Sequence, residues 1–158
     1  MFIPEIPQNS LTDEITQIVE LSKKLEEKDY YFEFLQPEDE GKIIAWEKEN
    51  SIIIPQSVKD WLQFTRGAIL ADDIARIGGV NGFEFGRDYV PDEMVIIGQI
   101  IGDGQLIGFS KETGEIMWET HADIVKFDSF ASFLNEVVIR MLKKTSKNLV
   151  ALIPPFMR

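Results

Sequence analysis

Residues 46–67, WEKENSIIIPQSVKDWLQFTRG, limit the possible folds more than any other part of the chain. They read as the end of one helix, a short apolar link, and a second helix opened by a proline. Pro55 suits the first helical position, where its missing N–H costs nothing and its fixed φ already fits. Val58, Trp61, Leu62 and Thr65 recur at i, i+3, i+4 and i+7, so Trp61 and Leu62 are predicted to face a core. Gly67 stands where a left-handed residue would end that helix. The segment is a packing device and carries no evident chemistry.

The chain on either side supplies what that device packs against. Ser10 is predicted to cap a first helix, with Asp13 and Glu14 at its positive end and Leu11, Ile15, Ile18 and Leu25 on its apolar face. Residues 23–29 form a charged exit. The aromatics of residues 30–34 are then expected in the core, because Asp29 and Glu33 accompany them where a base-stacking surface would have cations. Pro37-Glu38-Asp39-Glu40 opens a second helix with three acids in its first turn. Ile43, Ile44 and Trp46 form its inward face and Asn50 its left-handed terminator.

Beyond Gly67 the period changes. Residues 68–77 and 83–85 are short apolar runs separated by Gly78-Gly79 and Asn81-Gly82, which read as turns. Residues 94–101, 105–110 and 115–119 are strand candidates, joined through Asp103-Gly104 and Thr113-Gly114. Ile116 and Trp118 share one strand face, and Glu115, Met117 and Glu119 the other. A last helix is capped by Asp128 or Ser129 and carries Phe130, Phe133, Leu134, Val137, Val138 and Met141 at helical spacing, with Lys143 and Lys144 at its negative end. The expected architecture is a single α+β domain over residues 1–158, an antiparallel β-meander covered on one side by helices. Its core spans about residues 30–144, with an N-terminal helix within 1–29 and a tail at 145–158. That tail, with Leu149 to Ile153 and Phe156, is read as docking on the domain or on a second copy.

Reactive groups are scarce. The chain has one histidine, His121, and no cysteine. That excludes disulfides and thiolate metal sites, and no serine stands in a nucleophile-elbow context. Two-histidine metal spacing is absent, and Gly102-Asp103-Gly104 is followed by a strand pattern where a calcium loop needs alternating acids. Residues 78–82 are glycine-rich but lack the Gly-Lys-Ser/Thr of a phosphate loop. Neither a metal nor a cofactor is expected. No apolar run is long enough to span a membrane, and the opening MFIPEIPQNS lacks the basic start of a secretory signal, so a cytoplasmic protein is expected.

Charge is the more informative property. The net charge is −11, and it is uneven: residues 1–139 hold all 27 acids and carry −16, whereas residues 140–158 carry +5. A body this negative repels nucleic acid and attracts a basic partner. Asp72, Asp73, Glu84, Asp88, Asp92, Glu93, Asp103, Glu112, Glu115 and Glu119 crowd residues 72–119, and we expect them to form a continuous acidic binding surface. Paired carboxylates can also run glycoside hydrolysis at set separations, which leaves an enzyme as a distant reading.

Taken in order, several motifs resemble the SUKH superfamily, which includes the yeast cell-wall synthesis regulator and many bacterial immunity proteins. They are the helix ending in Trp46-Glu47, the Ile54-Pro55 link, the Trp61-Leu62 helix with Gly67, Gly102-Asp103-Gly104, Thr113-Gly114 with Trp118, and Phe130-Phe133-Leu134. The resemblance covers roughly residues 30–142. Arg66-Gly67 replaces the Asn-Gly pair often found at that point in the family. It implies the same α+β arrangement and a non-enzymatic immunity protein that neutralises a secreted toxin, often a nuclease. The partner would be a basic toxin domain, met by a monomer or weak homodimer. The alternative it implies is an intracellular regulatory scaffold binding endogenous partners.

Overall fold

Among the described residues seven strands pair in sequence order, each antiparallel to the next, so the sheet is a meander. The computed structural model describes residues 1–100 and 104–151, with side chains placed for 1–100 and 104–148. The strands are β1 (Glu33–Phe34), β2 (Ala68–Leu70), β3 (Ala75–Ile77), β4 (Met94–Ile100), β5 (Gln105–Ser110), β6 (Ile116–Glu119) and β7 (Ile124–Phe127). The helices are α1 (Thr12–Glu26), α2 (Glu40–Asn50), α3 (Gln56–Leu62), α4 (Phe130–Phe133) and α5 (Arg140–Ala151). Between α4 and α5 the helix continues as a π-helical stretch, Leu134–Ile139. The molecule is one α+β domain. Among the described residues no helix is long and apolar enough to cross a membrane.

The helices cover one face of the sheet, and the main core lies between. Trp61 stands at its centre, edge-on to Phe64 and Phe130 with ring centroids 5.7 and 5.8 Å away. Leu11, which precedes the first helix, and Ile15, Ile18 and Leu25 within it are buried as their spacing predicts. The π-helical stretch widens one turn, which lets three successive residues, Val137, Val138 and Ile139, all reach the core.

The bulge in β4 does similar work in the sheet. Val95, Ile97 and Ile100 all join the main core, yet 97 and 100 would face opposite sides of a regular strand. The register shift between Ile96 and Gly98 inserts one residue and restores the parity. The opposite face is not bare, contrary to a sheet covered on one side only. Val90, Met94, Ile96, Leu106 and Met117 form a second, smaller buried cluster beneath the β3–β4 connection.

Several local expectations are corrected. Ser10 does not cap α1: the helix starts after Leu11, and the Ser10 hydroxyl donates instead to the buried carboxylate of Asp60. Pro55 sits one position earlier than expected, as the residue preceding α3. Gly67 is not a left-handed terminator, since α3 ends at Leu62 and the chain runs through buried Thr65 into β2. The Thr65 hydroxyl lies 2.8 Å from the Leu35 carbonyl and 2.7 Å from that of Gly67, which satisfies it inside the core.

In α2 only Glu40 occupies the first turn. Asp39 is the cap, accepting the Gly41 N–H at 2.7 Å, and Glu38 reaches across to accept the Val80 N–H at 3.0 Å. Ile44 is 58% exposed, because Ile43 and Trp46 take the inward positions. Ser51, with φ 54°, provides the left-handed exit, while the Asn50 amide donates to the Trp46 carbonyl. Lys143 and Lys144 lie within α5 and not at its end, since the helix runs on to Ala151. The proposed docking of residues 149–153 and 156, and the Gly102-Asp103 part of the β4–β5 turn, lie outside the described side chains; Gly104, φ +88°, closes that turn.

Candidate partner-binding surfaces

A meander sends alternate hairpins to opposite ends of the sheet, and this separates acids that the sequence places close together. The β2–β3, β4–β5 and β6–β7 turns lie at one end, and the β3–β4 and β5–β6 connections start from the other. Asp72 and Asp73 are exposed in the β2–β3 turn, where Ala71 and Asp72 both adopt positive φ, 48° and 64°. Asp72 pairs with the backbone of Tyr31: its N–H donates to the Tyr31 carbonyl at 2.8 Å, and its carboxylate accepts the Tyr31 N–H at 3.3 Å. Glu119 ends β6 near the same end. Asp103 lies outside the described residues.

Glu119 is not a surface acid. It is 7% exposed; Oε1 accepts the His121 N–H at 2.5 Å, and Oε2 lies 3.5 Å from His121 Nδ1. Oε2 is buried and accepts no hydrogen bond among the described residues, so its contact with the imidazole is electrostatic. Asp88 and Asp123, both exposed, line the same shallow hollow. Sequence spacing does not announce this meeting of Asp88 with Glu119; the β3–β4 connection creates it by crossing the sheet.

The other end carries Asp92, Glu93, Glu112 and Glu115. Glu93 is a fastener: its carboxylate accepts the Ser110 hydroxyl at 2.6 Å and its carbonyl accepts the Lys111 N–H at 2.7 Å. Glu115 accepts the Thr113 hydroxyl at 3.2 Å, while Asp92 and Glu112 are exposed. Lys111 reaches over the Phe85 ring, 5.7 Å from its centroid, so Phe85 belongs to this acidic end. Phe85 is 44% exposed. The β5–β6 hairpin also abuts the α2–α3 link: Pro55 Cγ is 3.9 Å from where a Cβ on Gly114 would stand. That link presents Ile53, 79% exposed. The nine acids that the structure describes therefore do not make one continuous surface. They divide between two ends, with Glu84 and Asp88 on the connection that crosses the outer face.

Glu84 is committed to Arg87, which grips both carboxylate oxygens at 3.2 and 2.9 Å and donates to Tyr89 Oη at 3.0 Å. These bonds, Glu84's first, raise the Arg87 pKa above its ordinary value and keep it charged. Arg76, Arg87, Phe85 and Ile53 escaped the sequence reading. For Arg76 the signal was available, since it alternates with the apolar Ala75 and Ile77. Among the described residues no group of three His, Asp or Glu is arranged to hold a metal ion. No family model matches the chain, and no curated protein matches it.

Proposed function

We propose that the chain is an immunity protein of the SUKH type that acts in the cytoplasm by binding a basic toxin domain, a nuclease in the first instance, and covering the surface that domain uses for its substrate. The observation that carries this reading is the composition of the β5–β6 end. Exposed Asp92 and Glu112, with Glu115, lie at the same end of the sheet as the exposed apolar side chains Phe85 and Ile53. Charge of this sign accelerates encounter with a basic surface, and apolar side chains dehydrated at the centre of a contact supply much of the affinity. The net charge of −11 disfavours a nucleic acid as the direct ligand, which fits a role as the toxin's competitor for its own basic site.

The test is co-expression with the toxin encoded by the neighbouring gene. The wild-type chain should restore growth and co-elute with the toxin on a sizing column. A triple variant, Asp92→Lys with Glu112→Lys and Glu115→Lys, should lose both effects. Asp72→Lys with Asp73→Lys, at the opposite end, should keep them. Failure of the wild-type chain to rescue growth, together with no complex, would sink the proposal.

A further inference from the structure

The outer face of the sheet holds a groove of about 420 Å³ that the acidic ends do not explain. Its floor follows one cross-strand row, in which Glu33 pairs with Ile69, Ile69 with Arg76, Arg76 with Gln99, and Gln99 with Leu106. One wall is the start of the β3–β4 connection, tied to β4 by reciprocal bonds: the Glu84 N–H donates to the Ile96 carbonyl at 3.1 Å, and the Ile96 N–H donates to the Glu84 carbonyl at 2.7 Å. The volume falls inside the range of about 300–1,000 Å³ usual for small-molecule sites.

The charges in this groove are nearly all spoken for. Glu33 accepts the Tyr31 hydroxyl at 2.6 Å, and Glu84 and Arg87 hold each other. Arg76 is different: it is exposed, lines the groove, and among the described residues makes no hydrogen bond or ion pair. An unengaged guanidinium therefore shares the groove with Ile69, next to it, and with Ile96 and Leu106 farther along the floor. In a body carrying −16, it marks the one point of the groove where a ligand's negative charge gains. Guanidinium matches a carboxylate in shape and charge through two parallel hydrogen bonds.

We infer that this groove binds a small apolar carboxylic acid, its carboxylate on Arg76 and its hydrocarbon body along the floor toward Ile96 and Leu106. A polyphosphate ligand fits poorly, because it needs several free cations and meets the acidic body instead. An alkylammonium has Arg76 against it, and Glu84 is already paired with Arg87.

Octanoate, octanamide and octylamine share a chain and differ in head charge, so calorimetry with the three separates charge recognition from simple apolar binding. Octanoate should bind at least about tenfold more tightly than octanamide, the scale of one charge-assisted pair. Arg76→Gln should bring octanoate down to the octanamide level. Gln99→Trp should fill the groove and abolish binding of both. Both positions are exposed, and an unchanged urea midpoint will establish that each variant is folded. Amide shifts on octanoate titration should centre on Ile69, Arg76 and Gln99. No octanoate binding, equal binding to Arg76→Gln, equal affinity for octylamine, or shifts centred elsewhere would each overturn the inference.

Discussion

Gly98 and Gly108 flank the β4 bulge, and substituting either with alanine is a sharp test of that geometry. A Cβ on Gly98 would stand 2.2 Å from the Arg76 carbonyl oxygen and 3.0 Å from Ile77 Cα; one on Gly108 would stand 2.0 Å from the Val95 carbonyl oxygen. These obstacles are backbone atoms of paired strands and cannot rotate away. Relief requires β3 and β4, or β4 and β5, to separate by roughly 1 Å against a spacing of about 4.8 Å. Overpacking alone costs about 1–3 kcal/mol. Two or three weakened ladder hydrogen bonds add about 0.5–1.5 kcal/mol each. Each variant should therefore lose about 3 kcal/mol or more, a large share of the roughly 5–15 kcal/mol that holds a domain together. Gly82 is the control: a Cβ there meets nothing within 4 Å, and Gly82→Ala should change stability by less than about 0.5 kcal/mol. Urea unfolding followed by tryptophan fluorescence gives all three values. If Gly98→Ala or Gly108→Ala unfolds within about 0.5 kcal/mol of the parent, the close strand approach and the bulge argument built on it are wrong.

Other consequences are more local. Asp60, 5% exposed, gathers the Ser10 hydroxyl and N–H and the Gln56 amide, so Asp60→Ala should cost about 2–4 kcal/mol by urea unfolding, whereas Asp60→Asn keeps one of the two acceptor oxygens and should cost less. Trp61 buries an indole N–H with no acceptor among the described residues, so Trp61→Phe should lose no more than about 1.5 kcal/mol, against about 3–5 for Trp61→Ala. Ser129→Ala removes the oxygen that accepts the Ser132 N–H at 3.3 Å and should lower stability by about 1 kcal/mol in the same assay. Tyr31 is raised above 10.0, first by its hydrogen bond to Glu33, so it favours the folded state while protonated and that contribution fades as pH rises through its shifted pKa. Ultraviolet titration should show one tyrosine ionising late, and Glu33→Ala should bring it back to the ordinary range.

What the sequence made legible was whatever depends on a local period. The burial of Phe130, Phe133, Leu134, Val137 and Val138 follows from helical spacing, and β4, β5 and β6 fall close to where alternation and turn residues place them. What it hid depends on partners distant in sequence. Ile43 and Ile44 are equally apolar, and Ile43, three residues before Trp46, shares the face on which Trp46 packs against Phe83, 5.4 Å between centroids. The bulge is invisible because the strand opens on a continuous apolar run, MVII at residues 94–97, and Ile124–Phe127 is too short to announce β7. The candidate site suffered most. Ten acids within about fifty residues look like one surface, but a meander reverses direction at every hairpin and so divides the nine that the structure describes.

That division bears on how such a protein would work. A docking end is useful only if its charges hold their relative positions before the partner arrives, because ordering them afterwards costs affinity. At the β5–β6 end the fastening is internal: the Glu93 carboxylate on the Ser110 hydroxyl, that same hydroxyl oxygen accepting the N–H groups of Glu112 and Thr113 at 3.1 Å each, and the Lys111 N–H on the Glu93 carbonyl. Glu93 therefore serves the end by holding it, and Asp92, Glu112 and Glu115 by facing outward. Replacing Glu93 with Ala should then weaken capture by loosening the hairpin, whereas charge reversal at Glu112 should act chiefly on the association rate and its salt dependence. The two defects are separable: added salt mimics the second and leaves the first.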